Sequence, residues 1–77
     1  MNNSTLTAQN PIVKVDGVAT IKGVPVWEIA NLWLQGTPIR SIKVTLKVGV
    51  EDINYAMGYY FANPLNISFQ IRNNNEY

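Results

Sequence analysis

The chain has 77 residues, of which 47% are hydrophobic and 14% are charged, with a net charge of +1 and neither cysteine nor histidine. A chain of this length forms one small domain that buries only about 60% of the surface its unfolded form exposes, so a partner or a second copy would stabilise it. The missing residue types exclude disulfides, thiolate metal sites, cysteine nucleophiles and histidine-based catalysis. We therefore expect no enzyme, no metal site and no cofactor.

The first ten residues, 1–10, are polar and are predicted to form a flexible lead. They lack the basic start and the apolar run of a signal peptide. No stretch of the chain approaches the ~18 consecutive apolar residues of a membrane span. The sequence therefore predicts a cytoplasmic protein without a membrane segment.

Two runs rich in β-branched residues follow, 12–15 and 18–21, and Asp16 and Gly17 separate them. An Asp-Gly pair between such runs is typical of a tight β-hairpin, and Gly23 marks a further turn. A lone two-stranded hairpin is marginal in water. We predict a short β arm or hairpin that packs on the rest of the domain or pairs across a dimer.

The apolar residues then change to the spacing of one helix face: Val26, Ile29, Ala30 and Trp33. Pro25 stands where a first helical turn tolerates proline, and Gly36 stands where helices often end. This segment is predicted to be the first helix. Trp27 and Trp33 point about 120° apart on it, so one tryptophan is expected in the core and the other could anchor a partner.

The next segment, 42–50, has two interpretations. After Thr37 and Pro38, a cap followed by a proline, the spacing of Ile39, Ile42 and Leu46 fits a helix. The apolar residues at every second position from 42 to 50 fit a half-buried strand equally well. The choice matters because a helix here completes a helix-turn-helix, whereas a strand excludes one.

A third helix is predicted over 50–60, because Glu51 and Asp52 stand in the first turn, where the helix dipole favours acids. Its expected buried face consists of Val50, Ile53, Ala56, Met57 and Tyr60. Gly58 costs roughly 1 kcal/mol in a helix interior, and we expect it to mark a close approach by another backbone.

The segment after Asn63 and Pro64 is ambiguous in the same way, because its apolar residues fit a strand or one side of a helix. The candidate partner-binding residues lie here: Leu65, Ile67, Phe69, Ile71 and Arg72. Four large apolar side chains in seven positions indicate an interface. The alternative is that the segment folds back to complete a small core.

Several short motifs occur in a fixed order: Ile21-Lys22-Gly23, Pro25-Val26-Trp27-Glu28-Ile29-Ala30, Gly36-Thr37-Pro38, Val50-Glu51-Asp52-Ile53, Ala56-Met57-Gly58-Tyr59-Tyr60 and Asn63-Pro64. In this order and spacing they resemble the small bacterial family catalogued as domain of unknown function 433, whose members look like VapB-type antitoxins. The likeness covers roughly residues 12–74. The chain lacks the family's Thr-Arg step after Gly23, and it has Gly49 where the family usually places a capping threonine.

The resemblance implies a mainly α fold, a small trihelical helix-turn-helix domain of homeodomain-like type preceded by a short β arm or hairpin. It also implies a homodimeric antitoxin that binds operator DNA, represses its own operon and neutralises a PIN-like ribonuclease toxin. On this interpretation residues 11–62 form the β arm and the three-helix domain. Residues 63–77 form a C-terminal tail that binds the toxin.

The candidate nucleic-acid-binding residues belong to the second and third helices: Arg40, Lys43, Lys47, Asn54 and Tyr55. The three cations are half of the six basic residues and would contact phosphates, although such a cluster is also typical of an ordinary solvated face. The resemblance makes the third helix the reader of bases, with Asn54, Tyr55 and Tyr59 as its candidate exposed residues. The alternative is that two of the three tyrosines on this helix pack in the core or in a dimer interface. The alternative function is a non-enzymatic protein-interaction or assembly module, with a β-ribbon built from 42–50 and 65–71 and no nucleic-acid role.

Overall fold

The computed structural model describes residues 10–75, so the predicted polar lead lies outside the described residues except for Asn10. Within this range the chain forms three short strands followed by four helices. The strands are β1 (Val13–Val15), β2 (Val18–Ile21) and β3 (Val24–Pro25), and the helices are α1 (Val26–Leu34), α2 (Ile39–Leu46), α3 (Val50–Ala62) and α4 (Pro64–Asn75). The predicted mainly α fold with a β hairpin at its N-terminal side is confirmed.

Two tight turns build the antiparallel sheet, in which β2 pairs with β1 on one side and with β3 on the other. Asp16 and Gly17 have φ of 52° and 80°, and Lys22 and Gly23 have φ of 53° and 80°. Positive φ at both central residues is the type I′ geometry that matches the twist of paired strands. The predicted hairpin therefore continues through a second turn into a third strand. The sequence did not predict this strand, because the residues around Pro25 fit the start of a helix.

The first helix, α1, begins at Val26, directly after the sheet. Pro25 is its N-cap residue and not part of its first turn. At the other end Gly36 has φ of 85° and its N–H donates to the carbonyl of Trp33, while the N–H of Thr37 donates to the carbonyl of Leu32, both at 3.0 Å. This pair of bonds is a Schellman motif, which needs a residue that tolerates positive φ. The predicted helix end at Gly36 is confirmed.

The ambiguous segment 42–50 is helical as far as Leu46, so the strand interpretation is wrong. A strand would place Ile42 and Val44 on one face, yet Ile42 is 0% exposed and Val44 is 75% exposed. The helix instead turns Ile42 and the half-buried Leu46 towards the core. It ends at Lys47, which adopts φ of 59°, and Pro38 rather than Thr37 is its N-cap residue.

The third helix, α3, buries Ile53, Ala56 and Met57, as predicted, but Val50 is 46% exposed and does not join them. Gly58 also differs from expectation. A Cβ placed on Gly58 would meet nothing within 4 Å, so no other backbone among the described residues approaches it. Gly58 is instead exposed to solvent on the outer side of the helix.

The last helix, α4, packs against α1 and α3. Ile67 is 0% exposed and Ile71 packs against the core cluster, which fits the alternative in which this segment folds back to complete the core. Because 42–46 and 65–71 are both helical, the β-ribbon of the alternative interpretation is wrong.

The core lies around α1, which contacts α2, α3, α4, β2 and β3. Its most deeply buried side chains come from every layer of the fold: Ile21, Val26, Ile29, Ile42, Ile53 and Ile67. The arrangement leaves α2 on one side of α1, with Ile42 as its fully buried residue. Leu46 is half-buried beside it, and the other side of α2 is exposed to solvent.

Candidate nucleic-acid interface

The second helix brings the three predicted cations together. Arg40 and Lys43 lie one helical turn apart on α2, about 60° around its axis, and Lys47 is the C-cap residue, where the chain leaves the helix with φ of 59°. All three side chains are exposed. We call this surface the cationic face of α2, and its residues are Arg40, Lys43 and Lys47.

No acidic group neutralises the cationic face within residues 10–75. The ion pair found there joins Lys22 and Asp52, whose Nζ and Oδ2 atoms are 3.1 Å apart. No Asp or Glu occurs in the chain between Arg40 and Lys47. The near-neutral total charge therefore conceals a local charge of about +3 within two helical turns.

The predicted DNA-binding residues of α3 are not accompanied by positive charge, unlike those of α2. Asn54 and Tyr55 are exposed, as expected, whereas Tyr59 is half-buried and packs against the core cluster, as the alternative for the tyrosines of this helix predicts. The outer side of α3 also carries Glu51, which is exposed, and α3 contains no Lys or Arg. This helix offers neutral donors and one exposed negative charge, and it has no cation to attract phosphate.

The start of α3 is held by Asp52, whose side chain turns inward. The N–H of Gly49, the N-cap residue, donates to Oδ2 of Asp52 at 2.8 Å, and Lys22 pairs with the same oxygen. The Gly49 hydrogen bond is the main reason that the pKa of Asp52 lies below its ordinary value of 3.8; burial opposes the shift and Lys22 adds to it. This is half of a capping box, because Gly49 has no side chain to return the bond. Asp52 thus joins the second sheet turn to α3.

The five predicted partner-binding residues divide between two sides of α4. Leu65, Phe69 and Arg72 are exposed, with Leu65 at 84% and Phe69 at 62%. They recur at i, i+4 and i+7 and so lie on one side of the helix. Ile67 and Ile71 point to the core. We call the first three residues the outer face of α4, and Ile67 is not available to a partner.

A further apolar surface joins the ends of α1 and α3. The rings of Trp33 and Phe61 meet edge to face, with centroids 5.9 Å apart and an interplanar angle of 87°. Both side chains remain exposed, as does Leu34, whereas Trp27 is half-buried against the core. The division of the two tryptophans agrees with the sequence prediction. The pairing with Phe61 carries no signal in the sequence, because packing of α1 on α3 brings together residues 28 positions apart.

A groove of about 260 Å³ lies between α1 and α2, and its lining residues are Trp27, Glu28, Asn31, Leu32, Thr45 and Leu46. Glu28 is the one carboxylate in this lining, so the groove holds no acid-base pair. Among residues 10–75, no group of three acidic side chains is placed to hold a metal ion. No helix within the same range is long and apolar enough to cross a membrane.

Comparisons of the chain with models of protein families, with curated proteins and with solved structures found no match. The function of the chain is therefore inferred from its own residues. Its three surfaces are the cationic face of α2, the outer face of α4 and the Trp33–Phe61 pair.

Proposed function

We propose that this protein is a cytoplasmic, non-enzymatic DNA-binding regulator of the antitoxin type. It binds operator DNA as a homodimer, represses its own operon and neutralises a PIN-like ribonuclease toxin. The observation that carries the proposal is the cationic face of α2, where three exposed cations occur within eight positions and none of them forms an ion pair within residues 10–75. The order of short helices around it fits a helix-turn-helix domain.

The charge on this face sets the expected strength of DNA binding. Neutralising three phosphates releases about three counterions and gives a salt slope near −2.7 per protomer, at about −0.9 per phosphate. Two protomers acting together give roughly −5. Binding by a single protomer is weak at physiological salt, so the homodimer is an essential part of the proposal.

The toxin-binding part of the proposal is supported by the outer face of α4. Leu65 and Phe69 remain largely exposed after the chain has folded, and Arg72 adds a positive charge beside them. Large apolar side chains grouped on a surface mark protein-protein contacts. A toxin that covers this face would bury both of them without disturbing Ile67.

The DNA-binding proposal is tested with duplex DNA from upstream of the protein's own gene, titrated at several salt concentrations. The double substitution Arg40→Ala with Lys43→Ala should weaken binding to all sequences and make the salt slope less steep by about 2 per protomer. Lys14→Ala is the matched control, because Lys14 is exposed on β1 and lies outside α2. A wild-type affinity that is absent or independent of salt would refute the DNA-binding role.

The toxin-binding proposal is tested separately with the product of the neighbouring reading frame, if that frame encodes a PIN-like ribonuclease. Phe69→Ser should weaken the complex at least tenfold, while Arg40→Ala with Lys43→Ala should leave it intact. Loss of the complex in both variants would mean that α2 has a structural role.

A second candidate function is a protein-interaction module without a nucleic-acid role. It is favoured by the exposed Trp33–Phe61 pair, because aromatic side chains are enriched in interface hot spots. This module would associate with a partner in a salt-independent way and would bind no DNA. The titrations above therefore separate the two functions.

A further inference from the structure

We propose that α2, and not α3, is the helix that enters the major groove of DNA, and that Val44 and Arg40 read bases from it. Val44 contacts the methyl group of a thymine and Arg40 contacts a guanine. This inference depends on the proposed DNA-binding function. It departs from the expectation stated above that the third helix reads bases through Asn54 and Tyr55.

The backbone by itself permits two helix-turn-helix units. One consists of α1, the turn 35–38 and α2, and the other consists of α2, the turn 47–49 and α3. Each turn has three or four residues and contains a glycine, as this motif commonly does. The reading helix is the second helix of the unit, so it is α2 in the first case and α3 in the second.

The exposed charges distinguish the two units. A reading helix contacts base edges with its N-terminal residues and passes between two phosphate backbones. The exposed charged residue in the first turn of α3 is Glu51, and no cation accompanies it on that helix. The first turn of α2 contains Arg40 and Lys43 follows on the same helix, whereas Lys47 is its C-cap residue and lies in the turn 47–49. Entry of α3 would bring a carboxylate towards phosphates, whereas entry of α2 brings cations.

Val44 has no evident role in the folded domain, because its side chain is 75% exposed. It lies one helical turn after Arg40, about 6 Å along the axis and about 40° around it. An exposed branched apolar residue beside an arginine is suited to base reading, since apolar side chains contact the thymine methyl and arginine binds O6 and N7 of guanine. The 6 Å separation corresponds to about two base steps at 3.4 Å each. Lys43 and Lys47 then contact phosphates. With Arg40 on a base edge, two phosphate contacts remain in each protomer, so this inference predicts a salt slope of about −1.8 per protomer instead of −2.7.

The experiment compares thymine with deoxyuridine, which differs only by lacking the methyl group. The site is first selected from random duplex DNA with the full chain, and each thymine is then replaced in turn. Wild-type protein should lose affinity about 3- to 5-fold at one thymine, the effect of one buried methyl group. Val44→Ala should bind the thymine and deoxyuridine sites equally. Asn54→Ala is the matched control on α3 and should keep the wild-type ratio.

The outcomes separate the inference from the proposed function. If wild-type protein binds no duplex, both fail. Two results with a protein that does bind a selected site would refute the choice of α2 and leave DNA binding standing. In one, Val44→Ala keeps the wild-type ratio of affinities for the thymine and deoxyuridine sites. In the other, Asn54→Ala abolishes that ratio. Unchanged circular dichroism of both variants shows that folding is not the cause, as expected for exposed positions.

Discussion

Ile67 provides a direct test of whether α4 belongs to the folded domain. Its side chain is 0% exposed, while that of Leu65 on the same helix is 84% exposed. Ile67→Ala removes three carbon atoms, worth about 2.4 kcal/mol at about 0.8 kcal/mol for each buried methylene. The cavity left behind adds to this, and measured losses for such changes are about 2–5 kcal/mol. We expect the free energy of unfolding to fall by about 3 kcal/mol.

This loss is large for so small a domain. At about 0.05–0.15 kcal/mol per residue, a chain of this length has a total stability of roughly 4–12 kcal/mol. A loss of about 3 kcal/mol lowers the Tm by roughly 12–24 °C in a domain of this size. Thermal and urea unfolding followed by circular dichroism at 222 nm would measure it.

Leu65→Ala is the matched control, because it removes a side chain of similar size from the same helix. We expect it to change the free energy of unfolding by no more than about 0.5 kcal/mol, as for most surface substitutions. If Ile67→Ala shifts the Tm by less than 4 °C, or if Leu65→Ala costs as much, the reasoning is refuted. The segment 63–77 would then behave as a tail in the free protein.

Two further predictions concern the ends and the outer side of the helices. Gly58→Ala should stabilise the domain by about 1 kcal/mol, because alanine favours the helix and the added Cβ meets open space. Gly36→Ala should destabilise the domain by about 1–2 kcal/mol, because Gly36 has φ of 85°, which alanine adopts only with strain. Thermal unfolding compares the two, and a lower Tm for Gly58→Ala would show that its surroundings are occupied. Folding lowers the pKa of Asp52 from its ordinary value of 3.8. The charged carboxylate therefore stabilises the folded state fully above pH 3.8, and this stabilisation is lost as the pH falls through the folded-state pKa. Urea unfolding of wild-type and Asp52→Asn protein should therefore differ at pH 6 and converge in acid; a constant difference would contradict the assignment.

Features that depend on local backbone geometry were predictable from the sequence. The turn at Asp16 and Gly17 and the helix end at Gly36 require positive φ, and the residue types there tolerate it. The residue type at each of these positions indicates by itself that the backbone can adopt positive φ there. Neither prediction needed information about distant parts of the chain.

The two ambiguous segments could not be assigned in this way, because their apolar residues satisfy both the strand and the helix period. Tertiary packing decides between them. In α2 the core accepts Ile42 and leaves Val44 outside, and in α4 it accepts Ile67 and leaves Leu65 and Phe69 outside. Which apolar residue is buried depends on contacts with α1, and α1 is distant in sequence from α4.

Some residues of the candidate site could be predicted from the sequence, and others depended on tertiary packing. Arg40, Lys43 and Lys47 were visible as a dense basic cluster, and the helical spacing placed them together. The sequence left Tyr59 open between the surface and the core, because its partial burial depends on the core against which α3 packs. The position of Glu51 on the otherwise neutral outer side of α3 became informative only once the exposed side of that helix was known.

The central position of α1 has a consequence for the lifetime of the protein. With nine residues, α1 is shorter than the roughly 12–15 residues at which an isolated helix becomes stable, and it contacts every other helix and two strands. No helix can detach without exposing the core around it, so amide protons in all four helices should exchange through a common global opening. A protease that captures opened chains then acts on the whole domain at once. One folding equilibrium would therefore govern how much of the protein survives in the folded state.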